Sequence, residues 1–204
     1  MPDREYGYAY DAEDAYLYAG TDVLANRFGI RSREELWEIE RALSGARIAE
    51  IDISPVPGSF DLDHLCAIHR AIFGDLYPWA GVIRTKSFIA KGASLFCSPE
   101  FIVPYSNELF GKLKSERYLQ NLDRDSFIVR LAYFIAEINA LHPFREGNGR
   151  AQRAFANQLA RNAGWELNFR NVEAAELCEA YIESMHVSTD RLERLLREHV
   201  TPAG

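Results

Sequence analysis

The chain has 204 residues, a formal net charge of −7 and a sequence pI near 5.3. Because affinity for a phosphate backbone comes from clustered Lys and Arg, this acidic balance argues against direct nucleic-acid binding. Apolar residues make up 48% and charged residues 26%, as in an ordinary soluble globule, and the sequence contains no run of about 18 apolar residues that could cross a membrane.

The length fits one domain, residues 1–204, and two further features predict a cytoplasmic protein. The start, Met1-Pro2-Asp3-Arg4-Glu5, is polar and acidic, which is unlike a secretory signal peptide. The three cysteines, at positions 66, 97 and 178, lack the spacing of a metal site or a disulfide framework.

The first 80 residues predict an arm followed by two helices. Residues 1–15 are rich in Tyr, Asp and Ala without periodicity, so we expect a loosely ordered arm. A helix over about 33–50 is predicted to bury Leu36, Ile39, Leu43 and Ala46. Asp61 then caps a second helix, which carries two histidines. His64 and His69 are five residues apart and do not share a face, which argues against a metal pair.

The segment Val82–Cys97 breaks the helical pattern. It has β-branched and aromatic residues on both sides of Lys91-Gly92, which predicts a β-hairpin. An isolated hairpin is marginally stable in water, so we expect this one to have a functional role. Ser98-Pro99 opens another helix, and periodic apolar residues predict four more, over about 124–141, 150–163, 172–185 and 189–199.

The most informative segment is His142–Arg153, HPFREGNGRAQR, between two of these helices. Glycines 147 and 149 allow the backbone to curl and to expose N–H groups at a helix N-terminus, which together form an anion site. Arg150 and Arg153 lie three apart on one helix face and can grip phosphate oxygens. Glu146 can ligate Mg²⁺, His142 can act as a general base, and Phe144 is expected to point into the core.

These twelve residues resemble the signature of the Fic family (filamentation induced by cyclic AMP), H-x-F-x-[DE]-G-N-G-R-x-x-R, at every fixed position. Segments 16–26 and 69–81 also resemble Fic domains of bacterial toxins and secreted effectors, so the likeness covers about 16–200. It implies an all-α Fic fold, a bundle of about eight helices with a β-hairpin flap over the active site. In this family the flap at about 82–97 pairs with a segment of the target protein.

The resemblance implies a protein adenylyltransferase, which transfers AMP from ATP to a Tyr, Ser or Thr hydroxyl of a target protein and releases pyrophosphate. It implies His142 as base and Mg²⁺ on Glu146. It further implies that Arg153 holds the γ-phosphate. Residues nominated for the ATP site are Gly147, Asn148, Gly149, Arg150, Arg153, Lys91 and Tyr181.

Other functions stay open at this point. Some Fic-fold enzymes transfer UMP or phosphocholine, or remove AMP again. A non-catalytic nucleotide-binding adaptor is a different class, although it would not need His142. A structural protein without nucleotide affinity would leave Arg150 and Arg153 unexplained.

The sequence also predicts how activity is controlled. Many Fic enzymes carry an inhibitory helix, [ST]-x-x-x-E-[GN], and only Thr189–Arg194 approaches that spacing, with Arg194 in the last position. The resemblance is therefore to the class whose inhibitory helix belongs to a separate small antitoxin, with this chain as the toxin.

Overall fold

The computed structural model describes residues 8–9, 16–85, 90–91, 94–169 and 172–204. Seven α-helices and one 3₁₀ turn (Arg117–Leu119) lie in these ranges, in agreement with the predicted all-α bundle. The helices are α1 (Arg33–Ile53), α2 (Leu62–Phe73), α3 (Pro99–Ser115), α4 (Arg124–Leu141), α5 (Asn148–Asn162), α6 (Ala174–His186) and α7 (Asp190–His199).

Capping residues set where three of the helices begin. The Ser32 side chain accepts a hydrogen bond from the Glu35 amide at the start of α1, and Asp61 accepts one from the His64 amide at the start of α2. Asp123 does the same for the amides of residues 125 and 126 in α4. Each cap satisfies an amide that would otherwise lack a partner in the first turn.

The predicted face of helix α1 is confirmed except at its last residue, since Ile39 and Leu43 pack partly buried against the core. Leu36 is buried as expected, but Ala46 is exposed, and Ser44 is buried at 3% exposure. The reason is polar: the Ser44 hydroxyl accepts a hydrogen bond from Arg150 of α5 at 3.0 Å. A pattern of apolar residues cannot reveal this contact.

Helix α4 is the centre of the bundle and packs against α3, α5, α6 and α7. Its sequence predicts one apolar face, yet the structure also buries side chains on the other sides of the helix. A helix that is apolar nearly all round belongs inside a bundle. The buried residues are Phe127, Ile128, Leu131, Ala132, Phe134, Ile135, Ala136, Ile138 and Leu141.

The predicted hairpin is present in the described part of residues 82–97. Strand β2 (Ala90–Lys91) pairs antiparallel with β3 (Ser94–Leu95). Strand β1 (Tyr8–Ala9) pairs with the other edge of β2, so these two residues of the arm belong to the flap sheet, and the rest of residues 1–15 lies outside the described ranges. A second sheet, absent from the sequence prediction, pairs β4 (Trp165–Leu167) with β5 (Val200–Pro202).

No helix in the described ranges has the length and apolar character needed to cross a membrane.

Candidate active site

His142 lies at the C-terminal end of α4 in a left-handed conformation, with φ 43° and ψ 61°. Its amide still donates to the Ile138 carbonyl at 3.2 Å, so the chain leaves the helix at this residue. Left-handed geometry costs a non-glycine residue about 1–2 kcal/mol. The chain therefore turns sharply at the candidate base and brings its side chain toward the start of α5.

Two residues outside the signature hold His142, and the sequence prediction missed both. The Phe96 ring stacks on the imidazole with 3.7 Å between ring centres and 19° between planes. The Arg84 Nε donates to the His142 carbonyl at 2.7 Å. The only sequence signal for either residue was its position at an end of the predicted hairpin.

Asn148 ties the loop to itself. Its Oδ1 accepts from the Phe144 amide at 2.9 Å, and its Nδ2 donates to the Phe144 carbonyl at 2.7 Å. Phe144 is fully buried, as predicted, and stacks on His69 at 3.9 Å. The Asn148 amide group thus shapes the loop, and what this residue offers to an anion is its backbone N–H at the start of α5.

Gly147 is required by both conformation and space. Its φ is 78°, and a Cβ there would lie 2.4 Å from Cε2 of Phe73. It is the N-cap of α5, which begins at Asn148 rather than at the predicted Arg150. The amides of the first helical turn, which have no partner within the helix, therefore belong to Asn148, Gly149 and Arg150, inside the signature.

Glu146 is fixed through its backbone by a buried histidine. His69 Nε2 donates to the Glu146 carbonyl at 2.8 Å, and His69 Nδ1 accepts from the Gly81 amide at 2.8 Å. These partners require the neutral ring, and burial, helped by the nearby Arg150 charge, lowers the pKa of His69 to about 4. The Glu146 carboxylate accepts from the Gly147 amide and lies 4.0 Å from Arg150 Nη2.

Arg150 is directed toward α1. Its Nη2 lies 2.5 Å from the Glu40 carboxylate, its Nη1 donates to Ser44, and its guanidinium stands 4.6 Å over the Phe73 ring. Tyr77 donates a second hydrogen bond to Glu40. The first arginine of the signature is thus part of a half-buried ion pair between helices, a partner set that the sequence did not predict.

Arg153 has a different setting. A Cβ at Gly149 would lie 3.1 Å from Arg153 Nη1, so the guanidinium extends over the glycine at the start of α5. Among the described residues, no carboxylate pairs with it. Its charge is therefore available at the same place as the helix N-terminus.

The predicted residues converge on one cavity of about 250 Å³. Its lining includes His142, Glu146, Gly147, Asn148, Gly149, Arg150, Arg153 and Tyr181. Burial raises the pKa of the Tyr181 hydroxyl, against the opposite influence of Arg153 and Gln152 beside it. Lys91 lies in β2, where its backbone pairs with Ser94, and its place in the ATP site stays a prediction.

Comparison with known proteins identifies the family. The model of the Fic/DOC family matches residues 59–160. The chain is 39% identical over 190 residues to the protein adenylyltransferase VbhT of Bartonella schoenbuchensis, covering 93% of this chain and 40% of that protein. It is 35% identical to the probable protein adenylyltransferase Fic of Escherichia coli K12, covering 95% of this chain and 96% of that protein.

Solved structures agree with the fold. BepC of Bartonella tribocorum with bound AMPPNP superposes with a TM-score of 0.86 at 27% identity, covering 93% of this chain and 97% of that one. The N-terminal Fic domain of a Bartonella quintana effector with bound ADP gives 0.87 at 28% identity, covering 92% and 95%. All fixed residues of the signature except the buried Phe144 line one cavity at the end of α4, and the family match agrees with this arrangement. The chain belongs to the Fic/DOC family.

Proposed function

We propose that this chain is a protein adenylyltransferase, which transfers AMP from ATP to a Tyr, Ser or Thr hydroxyl of a target protein and releases pyrophosphate. One observation carries the proposal: His142, the Gly147–Gly149 loop and Arg153 line the same cavity. The names of the relatives and the nucleotides in the neighbouring structures support it.

His142 takes the proton from the attacking hydroxyl. The new bond joins the hydroxyl oxygen to the α-phosphorus, and the bond from that phosphorus to the bridging oxygen of the pyrophosphate breaks. The left-handed turn and the Phe96 stack hold the imidazole in one orientation, as general-base catalysis requires.

The start of α5 holds the phosphates. The amides of its first turn and the positive end of its dipole favour an anion, and Arg153 adds a full charge beside them. Arg153 is assigned to the γ-phosphate, which leaves the α-phosphorus toward His142. Arg150 lines the cavity too, but its bonds to Glu40 and Ser44 give it a smaller share of the phosphate contacts.

Glu146 fits a role in holding Mg²⁺. Its carboxylate lines the cavity beside the phosphate-binding amides, and no cluster of three or more metal-binding side chains lies in the described ranges. This matches magnesium, which takes one or two carboxylates together with phosphate oxygens. When bound, the ion offsets the negative charge that develops on the phosphates.

The flap is assigned to the target, whose segment pairs with it by strand addition and so brings a hydroxyl to His142. The protein is proposed to act in the cytoplasm as the toxin of a toxin–antitoxin pair, with a small antitoxin that places the glutamate of an [ST]-x-x-x-E-[GN] helix on Arg153. Glu193 of α7 already has other partners, since it accepts from Thr189 at 2.8 Å and lies 3.9 Å from Arg197. These contacts favour inhibition by a separate chain.

The test is transfer of label from α-labelled ATP to protein in a bacterial lysate, followed by the intact mass of the product. An AMP adduct adds about 329 Da. His142→Ala is expected to lower the rate by about 10²–10⁴-fold with ATP affinity nearly intact. Arg153→Ala is the contrasting variant, because it should weaken ATP binding more than ADP binding.

Three results would count against the proposal. An adduct with the mass of UMP or phosphocholine would show that the protein transfers another group. Removal of AMP from a modified protein would show that it catalyses the reverse process. Near-normal transfer by His142→Ala would contradict the assignment of His142 as the general base.

A further inference from the structure

Arg84 is a buried cation outside the family signature. Its side chain is 1% exposed. Two of its guanidinium contacts are main-chain carbonyls, because Nε donates to His142 and Nη2 donates to Cys97. Burial lowers the pKa of this group, so its position is held against a desolvation penalty. A buried charge of this kind calls for a role beyond packing.

The contacts of Arg84 join both ends of the flap to the catalytic turn. Its own amide donates to the Pro143 carbonyl at 2.9 Å, at the first end of the hairpin segment. Cys97, at the other end, donates its amide to the Ala140 carbonyl at 2.9 Å, and its carbonyl accepts from Arg84. One guanidinium therefore bridges the last residue of the flap and the carbonyl of His142.

The bond to the His142 carbonyl acts on the backbone of the base itself. The ψ angle of a residue sets the direction of its carbonyl, and His142 has a ψ of 61° in the left-handed region. Few non-glycine residues adopt this backbone geometry without support from their surroundings. Phe96, next to Cys97, stacks on the imidazole of the same residue. Arg84 thus contacts the backbone of His142 directly and holds Cys97, the neighbour of the residue that stacks on its ring.

We propose that Arg84 is a positioning residue for the transfer reaction, which holds the base-bearing turn and the flap in one fixed arrangement. The proposal rests on the proposed function, since the base and the target-binding flap are the parts that must meet. A planar guanidinium with donors on two nitrogens can serve two carbonyls at once, whereas the ammonium of lysine is a single point.

The test compares Arg84→Lys and Arg84→Met with the unmodified protein. Initial rates of label transfer from ATP to lysate protein, measured over a range of ATP concentrations, give kcat and the KM for ATP. Arg84→Lys is expected to lower kcat by about 10- to 100-fold, because small displacements of a catalytic group have effects of this size. The KM for ATP should change by less than about twofold, because Arg84 is not among the residues lining the nucleotide cavity.

Leu113→Ala is the matched control. Leu113 is fully buried in α3, so this change should lower Tm while kcat per folded molecule stays normal. The proposal is overturned if Arg84→Lys keeps a normal kcat, or if its losses in kcat and ATP affinity are equal. It is equally overturned if the loss in kcat only follows the unfolded fraction, as it would for Leu113→Ala.

A second measurement does not need transfer activity and separates this proposal from the proposed function. Because the Phe96 ring stacks on the His142 ring, the NMR signals of the His142 ring protons are expected to lie upfield, and only five histidines need assignment. In Arg84→Met the His142 signals should lose this shift, while those of His64 in α2 stay in place. Unchanged His142 signals would contradict the positioning role even if the unmodified protein transfers no AMP.

Discussion

The catalytic loop and the flap are held in opposite ways. The loop, residues 142–149, is fixed from within and from behind, by Asn148 on Phe144, by His69 on Glu146, and by Phe73 under Gly147. The flap strands β2 and β3 have two residues each, and the hairpin is anchored at its ends. The proposed nucleotide site is thus fixed by many contacts, whereas the described strands of the proposed target-binding flap are held at the ends of the hairpin and by the pairing of β1 with β2.

This contrast matches the tasks proposed for the two regions. Positioning for chemistry requires groups fixed to within a fraction of an ångström, and buried hydrogen bonds provide this. Strand addition requires open backbone groups at a sheet edge, and such groups cannot also be buried.

The strongest way to break the loop is Gly147→Ala. The new methyl would collide with Phe73 and sit at a φ of 78°, so we expect a loss of roughly 2–4 kcal/mol in unfolding free energy and of most transfer activity. Urea unfolding and label transfer measure the two effects. Gly111→Ala in α3 is the matched control, since its methyl meets nothing within 4 Å and should stabilise by about 0.5–1 kcal/mol. Equal effects of the two substitutions would contradict the steric account.

A second test uses pH to weaken the contact between His69 and the loop. The folded protein keeps His69 neutral with a pKa of about 4, while the unfolded chain protonates near 6.5. Between these values the unfolded state binds more protons, so stability is complete above about pH 6.5 and falls as the pH drops toward 4. The loss from this group is up to about 3 kcal/mol.

The comparison is the free energy of unfolding against pH for the unmodified protein and for His69→Gln. The glutamine keeps a donor for the Glu146 carbonyl but lacks the titrating ring, so this variant should be less stable at pH 7 with a shallower fall below 6.5. Parallel curves would show that His69 does not contribute the pH dependence.

The smallest effect is expected in α7. Glu193→Gly removes the hydrogen bond from Thr189 and places glycine in a helix, so a loss of about 1 kcal/mol is expected. Because Glu193 has the N-cap Thr189 and Arg197 of α7 as partners, transfer activity should not rise. Rates of label transfer check this, and a sharp activation would assign an inhibitory role to α7 and remove the need for an antitoxin.

The sequence predicted the helices and the signature because both depend on local patterns. Apolar spacing located α4, Asp61 capped α2 as expected, and the glycines of the loop indicated its backbone shape. The order of residue types in the signature was enough to predict which side chains line one cavity. These features require only neighbours along the chain.

What the sequence did not predict depends on contacts between distant residues. The pairing of β4 with β5 joins segments on either side of α6 and α7, and the stack of Phe96 on His142 joins the flap to the loop. The burial of Ser44 follows from Arg150. Polar contacts across such distances leave no periodic pattern, since one residue at each end is sufficient.

The ion pair of Arg150 shows that the signature depends on residues far outside it in the sequence. Its partners, Ser44 and Glu40, lie 106 and 110 positions earlier in the chain, and Tyr77 binds the same carboxylate. Copying the twelve signature residues into another helical scaffold would therefore leave Arg150 as a half-buried charge without its carboxylate. A working transplant must therefore also carry this part of α1. The presence of these partners for the first arginine is a stricter criterion for a related active site than the signature alone.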